Sequence, residues 1–314
     1  MQKKPMMYVG ELTEVARGPY HGAKKPKRMI QRGTYNCTIP LIRPSKLASR
    51  DNGGIGKNLS EGWCLNFAVG CTHGCPFCYV DSIHKRFGRS RYGKQVLQPW
   101  GNYFLVPENL DRAIERTPWQ RWQGKEVMMS STHDPYLPEL APKTRIILEH
   151  ALPEGVRICL QTRSCLVSRD IEFLAEYADQ VRLQISIATL NRELSRLIEP
   201  RVPSAERRLN MLLKAKENGL KVGVILAPIF PQTGYRPDVR KDLRAIAQRL
   251  AEIQPDHIFG ESLHVRGENV RLVEKVLGES LGDSNGFDKT AGFIFRGELR
   301  RAGLKGTWWP ETHR

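Results

Sequence analysis

The sequence predicts an α/β fold, a partial, TIM-like (β/α)6 barrel that follows a basic N-terminal extension. Two observations predict this fold class. Short apolar segments alternate with helical patterns from about residue 65 onward, and six such units follow one another without a dinucleotide-binding glycine fingerprint. This alternation is typical of parallel strands joined by right-handed crossovers, and in such barrels the functional residues gather at the carboxyl ends of the strands.

The six apolar segments are the predicted strands, and they cover residues 65–69, 126–129, 156–160, 181–187, 222–228 and 257–263. Helical patterns begin near Arg169 and Ser204 and also cover residues 239–253 and 268–281. The second of these helices ends at Gly219, a residue suited to the left-handed position after a helix. We therefore predict three segments: a basic N-terminal arm or cap over 1–60, a barrel core over 61–265 and a C-terminal helical extension over 266–314.

Positive charge is concentrated near the N-terminus. The 314 residues carry a net charge of +16, and residues 1–50 hold eleven Lys or Arg against only Glu11 and Glu14. Such a cluster attracts polyphosphates, although a solvated basic arm has the same composition. Nucleic acid is therefore one predicted partner of this arm.

The cellular setting follows from apolar runs and cysteines. No apolar run approaches the length of a membrane helix, and the start of the chain lacks the apolar stretch of a secretory signal. The seven cysteines are an odd number, which argues against a closed disulfide framework. A reducing compartment and a metal site fit this cysteine usage better. We predict a cytoplasmic protein without membrane attachment.

Three of the cysteines crowd into one short segment after the first predicted strand. This segment reads Gly70-Cys71-Thr72-His73-Gly74-Cys75-Pro76-Phe77-Cys78-Tyr79. Its spacings let a tight loop turn three thiolates toward one centre, and iron–sulfur clusters usually take four thiolates. Three ligands would leave one iron open to another molecule. A structural zinc site with His73 as fourth ligand is the alternative, although its ligands would be more crowded than usual.

The motif resembles the signature of the radical S-adenosylmethionine (SAM) superfamily, which is Cys-x-x-x-Cys-x-aromatic-Cys. The matching residues are Cys71, Cys75, Phe77 and Cys78. Over about residues 60–265 the chain also looks like the spore photoproduct lyase branch, often labelled DNA-repair-photolyase-like. The segments that carry this second resemblance are Thr132-His133-Asp134-Pro135-Tyr136, Gln161-Thr162-Arg163-Ser164, Ser186-Ile187-Ala188-Thr189, Glu199-Pro200 and Ala227-Pro228-Ile229.

The resemblance implies a [4Fe–4S] cluster on Cys71, Cys75 and Cys78, with its open iron chelated by the amino and carboxylate groups of SAM. An electron from the reduced cluster cleaves the sulfonium and gives a 5′-deoxyadenosyl radical, which abstracts hydrogen from a substrate. The cofactor carries this chemistry, while the protein supplies orientation and exclusion of water. The resemblance further implies a lyase-like enzyme of DNA repair and an external electron donor of the flavodoxin or ferredoxin type.

The resemblance also implies contacts to SAM. Phe77 borders the adenine with Tyr79 in support, and Asp134 accepts from the methionine amino group. Arg163 pairs with the carboxylate, and Ser186 hydrogen-bonds the ribose or the carboxylate. Plainer interpretations are a turn at Asp134, a surface position for Arg163 and a backbone contact for Ser186. Two further charged residues fit a structural ion pair as well as a substrate contact: Glu199 and Arg201.

One position departs from the branch. Its members carry a hydrogen-donating cysteine at the end of the second strand, where this chain has Ser131. A hydroxyl O–H bond is far stronger than a thiol S–H bond, so Ser131 is a poor replacement. Tyr136, Cys159 and Cys165 are candidates to substitute, although the two cysteines also suit buried, inert thiols. Ser131 and Tyr136 are the catalytic candidates.

Basic and aromatic residues alternate over residues 84–94, and the predicted contact residues there are Lys85, Arg86, Arg89 and Arg91. This mixture suits phosphate contacts combined with base stacking, and Trp119-Gln120-Arg121-Trp122 predicts a second patch. An exposed loop that caps the barrel is the plainer interpretation. We interpret Trp308-Trp309-Pro310 as a hydrophobic clasp.

Three functions follow from these features. The leading hypothesis is a radical enzyme that acts on flipped or single-stranded nucleic acid, repairing or modifying a base, because a buried radical cannot reach a stacked base. The second keeps the radical chemistry but takes a peptide or a small metabolite as substrate. The third is a non-enzymatic iron–sulfur protein that binds nucleic acid or senses redox state.

Overall fold

The computed structural model describes residues 12–13, 30–45, 60–283 and 286–309, with the backbone alone for 12–13. Most of the predicted basic arm lies outside these residues. Eleven strands are present in the described residues: β1 Leu12–Thr13, β2 Ile30–Tyr35, β3 Ile42–Pro44, β4 Trp63–Leu65, β5 Tyr103–Pro107, β6 Glu126–Met129, β7 Arg157–Thr162, β8 Val181–Ile187, β9 Lys221–Ile229, β10 His257–Ser262 and β11 Thr307–Trp309.

Ten α-helices accompany these strands in the described part of the chain. They are α1 Val80–Ile83, α2 Arg89–Tyr92, α3 Leu110–Arg116, α4 Ala141–Ala151, α5 Ile171–Ala175, α6 Arg192–Ile198, α7 Ala205–Glu217, α8 Val239–Ile253, α9 Asn269–Leu277 and α10 Phe287–Arg301. A π-helical turn, His84–Gly88, joins α1 to α2. Within the described ranges, none of the helices has the length and apolar character that crossing a bilayer would require.

Eight strands form one open, curved sheet in the order β3-β4-β6-β7-β8-β9-β10-β11. All neighbours run parallel except β3, which pairs with β4 in the antiparallel sense. Six parallel strands from β4 to β10 make the predicted partial (β/α)6 barrel, so the predicted fold class is confirmed. A second, smaller sheet has the order β1-β2-β5.

Local sequence signals place most elements correctly. Strands β6 and β8 and helix α8 have the predicted bounds. Helix α7 begins after Ser204, whose side chain accepts a hydrogen bond from the backbone N–H of Arg207, as an N-cap does. The first strand differs, because β4 ends at Leu65 and Val69 instead pairs with Leu105 of the smaller sheet. Strands β5 and β11 were not predicted, and the division into three segments stays a prediction.

The barrel interior is filled by one apolar layer drawn from six strands: Cys64, Met128, Cys159, Ile225, Phe259 and Trp309. Trp309 stacks on Phe259 with ring centroids 4.5 Å apart, which fits the predicted clasp. Trp119 and Trp122 are buried, so the second nucleic-acid patch predicted there is wrong. Their spacing reflects packing on one side of a short 3-10 turn rather than a display of aromatic rings to solvent.

Gly260 lets α10 pack closely against β10. A Cβ atom at this position would lie 2.6 Å from the ring of Phe295. We predict that Gly260→Ala lowers the free energy of unfolding by about 1–3 kcal/mol, the usual effect of overpacking a core. Gly297→Ala is the matched control, because a Cβ on this α10 residue meets nothing within 4 Å. It should stabilise the protein by about 0.5–1 kcal/mol through helix propensity.

Urea unfolding of both variants measures the two changes. Equal effects of the two substitutions would contradict the close packing of α10 on β10.

Candidate active site

The three clustered cysteines lie in the cysteine loop, residues 66–79, which follows the carboxyl end of β4. Cys71 and Cys75 are buried, Cys78 is half-buried, and all three are free thiols. Gly74 has a φ of 66°, a left-handed value that favours glycine. A Cβ on Gly101 would lie 2.5 Å from the Cα of Gly74. The loop therefore needs glycine on both sides of this backbone contact.

Burial controls the protonation of the three thiols. It raises the pKa of each thiol, that of Cys78 to about 12, so they are neutral without a metal. The guanidinium of Arg163 has the opposite effect to burial and lowers the pKa of Cys75 and Cys78. Cysteine binds a metal as the thiolate. Iron in this loop would supply the positive charge that stabilises the thiolates against the effect of burial. Three convergent soft ligands in a dry loop fit an iron–sulfur cluster.

Asp134, after β6, accepts hydrogen bonds from four groups around the cysteine loop. Its Oδ1 accepts from the Thr162 hydroxyl at 2.7 Å and from the Tyr136 N–H at 2.9 Å. Its Oδ2 accepts from the Arg163 N–H at 2.7 Å and lies 3.1 Å from Nε2 of His73. Burial raises the pKa of Asp134, but His73 and these donors outweigh it and leave the pKa below its ordinary value. Asp134 thus joins the cysteine loop to the ends of β6 and β7.

Glu199, after α6, is a buried carboxylate held between two arginines. Arg163 donates to its Oε1, and Arg208 donates to both of its oxygens. Arg208, on α7, is fully buried and also donates to the Ser186 carbonyl at the end of β8. Arg163 donates a second bond, 3.0 Å long, to the carbonyl of Ala227 on β9. This cluster fastens β7, β8 and β9 together at the carboxyl end of the barrel.

Arg201 contacts the cysteine loop. Its guanidinium donates to the Thr72 carbonyl at 2.7 Å and to the Gly101 carbonyl. Glu199 belongs to a structural ion cluster, as one of the two interpretations from the sequence held, and its partners there are Arg163 and Arg208. The backbone carbonyl of Arg201 in turn lies 3.2 Å from Nδ1 of His73.

These contacts bear on the zinc alternative. Both ring nitrogens of His73 already face oxygen acceptors, on Arg201 and Asp134. His73 thus serves as a brace of the loop, and a tetrahedral zinc site would lack its fourth ligand. Within residues 30–45, 60–283 and 286–309, no three His, Cys, Asp or Glu side chains are arranged to hold a single metal ion.

The predicted SAM contacts fall into two groups. Phe77 and Arg163 lie together, with the guanidinium 5.1 Å from the ring centroid. Tyr79, which is partly exposed, donates from its hydroxyl to the Ser131 carbonyl at 2.9 Å. Asp134 and Arg163 are engaged by protein partners as described above, and Ser186 contributes its carbonyl to Arg208. The structure therefore brings these residues to one end of the barrel, and their roles toward SAM stay predictions.

The candidates for hydrogen donation lie apart from one another. Ser131 is held by Asn66, whose Oδ1 accepts from the Ser131 N–H at 2.9 Å. Tyr136 is fully buried, and its hydroxyl donates to Asp170 at the start of α5. Cys159 belongs to the interior apolar layer, and Cys165 lies in the 3-10 turn after β7. Ser131 is thus the member of this set that contacts Tyr79 of the cysteine loop.

Two site residues escaped sequence analysis. Asn66 follows β4 directly, a position where functional side chains gather, and this placement was the available signal. Arg208 lies among the buried residues of α7, beside Leu209 and one turn from Leu212. A charged residue on the apolar face of a predicted helix indicates a buried ion pair, although the pattern does not identify the partner.

The basic segment, residues 84–94, is exposed along most of its length. Lys85 pairs with Asp81 at 2.8 Å, while Arg86, Arg89 and Arg91 have no carboxylate partner among the described residues. Phe87 is 64% exposed, and the Arg86 guanidinium lies 5.1 Å from its ring centroid. The segment begins six residues after Cys78 and covers one face of the smaller sheet, where Tyr92 packs on Tyr35.

Known proteins resemble this chain at three levels. The model of the radical SAM superfamily matches residues 65–237. "Uncharacterized protein ORF301" of Acidianus two-tailed virus is 55% identical over 289 residues, 92% of this chain and 96% of the relative. "Uncharacterized protein MJ0683" of Methanocaldococcus jannaschii is 30% identical over 171 residues, 54% of this chain and 61% of the relative.

Solved structures share the fold. Spore photoproduct lyase complexed with dinucleoside spore photoproduct superposes with a TM-score of 0.63 at 15% identity, covering 90% of this chain and 82% of that one. A variant of that enzyme with bound AdoMet and dinucleoside spore photoproduct gives a TM-score of 0.62 at 15% identity and the same coverage. At this identity the likeness shows the fold alone.

Removal of the Glu199 charge tests the buried cluster. We predict that Glu199→Gln lowers the free energy of unfolding by about 3–5 kcal/mol at neutral pH, because it leaves two buried guanidinium groups without a counter-charge. Glu206→Gln is the control: Glu206 is an exposed residue of α7 that pairs with Arg249 at 3.2 Å. Its loss should change the free energy of unfolding by less than about 1 kcal/mol.

The pH dependence of this difference provides a second check. Burial raises the pKa of Glu199, but Arg208 and Arg163 outweigh it and hold the pKa below its ordinary value. The stabilisation is therefore complete above the ordinary pKa, about 4.3, and is lost as pH falls through the lower folded-state value. Urea unfolding of the wild type and of Glu199→Gln should show that the difference between their free energies of unfolding becomes smaller in acid. A difference in free energy of unfolding that stays constant with pH would contradict the proposed role of the Glu199 charge.

Proposed function

Because the chain belongs to the radical SAM superfamily and is therefore a radical SAM enzyme, we propose that it carries a [4Fe–4S] cluster and acts on nucleic acid. Cys71, Cys75 and Cys78 would hold the cluster. When bound, the cluster supplies the electron that splits SAM into methionine and a 5′-deoxyadenosyl radical. The proposed reaction is the repair or modification of a base, of the lyase type, with a flavodoxin-like or ferredoxin-like electron donor.

The observation that carries the cofactor proposal is the composition of the cysteine loop. Three thiols belong to it, two buried and one half-buried, while the remaining described cysteines lie elsewhere: Cys37, Cys64, Cys159 and Cys165. A cluster with four irons would keep one iron without a protein ligand, as binding of SAM requires. Arg163 lowers the pKa of Cys75 and Cys78, and Arg208 lowers that of Cys75, while burial and nearby carboxylates raise the thiol pKa values.

The protein's contribution is to hold this loop rigid and dry. An apolar cluster packs against the loop side of Cys75 and Phe77, and it includes Leu194, Ile198 and Phe230. Removal of water protects a reactive radical from side reactions and strengthens the charge interactions nearby. The guanidinium of Arg163 lies over the Phe77 ring and also pairs with the buried carboxylate of Glu199. These two contacts fix its position. We propose that this guanidinium orients the carboxylate of SAM.

The observation that carries the nucleic-acid proposal is the basic segment. Arg86, Arg89 and Arg91, which have no carboxylate partner among the described residues, share this exposed segment with Phe87, and the Arg86 guanidinium lies over the Phe87 ring. Cations that track a phosphate backbone beside an aromatic ring that stacks on bases are the usual means of binding single strands. The structural relative binds a dinucleoside photoproduct, but at 15% identity the substrate class rests on the basic segment instead.

Cleavage of SAM tests the cofactor proposal. The protein, reconstituted with iron and sulfide without oxygen and reduced with dithionite, should release 5′-deoxyadenosine. We predict that Cys75→Ala abolishes this product and the iron–sulfur absorbance, because a cluster ligand is lost. Cys165→Ala is the control, since this half-buried thiol lies outside the cysteine loop. Cleavage that survives Cys75→Ala would overturn the assignment of the cluster ligands.

Salt dependence of oligonucleotide binding tests the substrate class. We predict that the variant with Arg86, Arg89 and Arg91 all changed to Ala has a slope of log K against log salt that is shallower by about 2, because three phosphate contacts are lost on a single strand. The control variant changes three exposed cations on α3 and α7 to Ala: Arg112, Arg116 and Lys214. Fluorescence anisotropy with a labelled single strand measures both. Weak wild-type binding that ignores salt would favour the peptide or metabolite substrate.

A further inference from the structure

We propose that the outer face of α10, together with Trp308, forms a second binding site for single-stranded nucleic acid, separate from the basic segment. This inference rests on the proposed function, because it assumes a nucleic-acid substrate. Four exposed residues, spaced by three or four positions, define the α10 stripe: Lys289, Phe293, Arg296 and Arg300. Residues with this spacing lie on one face of a helix. Phe293 is 66% exposed, the largest exposure among the large apolar side chains of the described residues.

The charges of the α10 stripe are not neutralised by the protein. Its three cations have no ion-pair partner among the described residues. Glu298, the acidic residue of α10 between Arg296 and Arg300, is buried and pairs with three other arginines: Arg240, Arg244 and Arg301. The three like charges repel one another and the exposed aromatic ring leaves apolar surface in water, and a bound polyanion with bases would offset both costs.

A cavity of about 310 Å³ opens beside the α10 stripe. Its lining residues are Asp288, Lys289, Gly292, Arg296 and Trp308. A Cβ on Gly292 would lie 2.8 Å from Nε1 of Trp308, so the glycine lets the indole lie flat on the helix and line the cavity. Trp308 is half-buried, whereas its neighbour Trp309 fills the barrel interior.

Asp288 is the acidic residue of this lining, and its carboxylate contacts residues at the end of β10. Its Oδ1 accepts a hydrogen bond from the Ser262 hydroxyl at 2.6 Å and lies 3.4 Å from Nε2 of His264. Asp288 is buried, so its charge is directed toward the end of β10. The outer rim of the cavity therefore carries the cations Lys289 and Arg296.

The chemistry of this lining fits an unpaired nucleotide. The volume is at the small end of ligand pockets and suits a single base on the Trp308 ring. Lys289 and Arg296 at the rim are placed for phosphates on either side of that base, and Phe293 and Arg300 continue the surface along the helix. A base within a duplex cannot enter such a cavity, so the ligand is a single strand.

The first test measures charge. The reconstituted full chain binds a labelled single-stranded DNA, and one variant changes Lys289, Arg296 and Arg300 to Ala. We expect a salt slope shallower by about 2 and affinity lower by roughly tenfold at moderate salt. The control is again the variant with Ala at Arg112, Arg116 and Lys214, which removes the same charge elsewhere. It should retain near wild-type affinity and slope.

The second test measures base stacking. Phe293→Ser is a change at an exposed site, and we expect it to lower the affinity for the normal strand by roughly 5-fold or more. Its affinity for an abasic strand of equal length should equal that of the wild type. Trp308→Leu should act in the same direction, with thermal unfolding as a check of its fold. Equal affinity of the wild type for normal and abasic strands would overturn the base site.

The outcomes separate this site from the proposed function. Loss of affinity in both the α10 variant and the basic-segment variant supports two binding surfaces. If the basic-segment variant is weakened while the α10 variant matches its control, the second site is overturned and the nucleic-acid function stands. If the wild type itself binds without salt dependence, both the substrate class and the second site are overturned.

Discussion

The buried carboxylate of Glu199 is the group on which the geometry of the site depends. Isolated burial of a carboxylate is costly, and its retention at the centre of a barrel requires compensation by charge and hydrogen bonds. Arg163 and Arg208 provide both, and each extends to a backbone carbonyl on a neighbouring strand. Three strands are thereby fixed at their carboxyl ends by one ion cluster. An apolar replacement could fill the space, but it would not set the angle of the Arg163 guanidinium over Phe77.

Asp134 performs the corresponding task on the other side of the cysteine loop. It links β6, β7 and the loop through His73, and Arg201 closes the arrangement by holding the Thr72 and Gly101 carbonyls. The loop has little secondary structure of its own, so its shape comes from these long-range contacts and from the approach of Gly74 to Gly101. This explains how three thiols with raised pKa values can be kept together before a metal arrives. Preorganisation of this kind reduces the cost of metal binding.

Local sequence patterns predicted much of the barrel. They did not reveal the contacts between residues that are distant in sequence. Strand β8 and helix α8 were evident because their apolar periodicity is strong, and the cysteine loop was evident because its three cysteines lie within eight residues. Strand β5 was missed because it belongs to a sheet whose other strands lie near the N-terminus. For Glu199 the sequence left an ion pair or a substrate contact open, and it did not indicate Arg163 and Arg208, because these partners approach from other elements. The exposed aromatic patch predicted at Trp119 failed because spacing alone does not distinguish a packed ring from a displayed one.

The excess of positive charge has two different physical meanings in this chain. Arg208 is fully buried, Arg163 is half-buried, and both are paired with Glu199, so they contribute to the fold and little to the external field. Arg86, Arg89, Arg296 and Arg300 are exposed and have no carboxylate partner in the part of the chain that the structure describes, so they contribute to the field that an approaching ligand experiences. Composition counts these groups equally, and only burial and pairing separate them. Among the described residues, residues 84–94 and the α10 stripe are two surfaces on which such arginines accompany an exposed phenylalanine. Both surfaces combine arginines with an exposed aromatic ring, although they are built on different helices. This combination is the one that binding of a single-stranded nucleic acid requires.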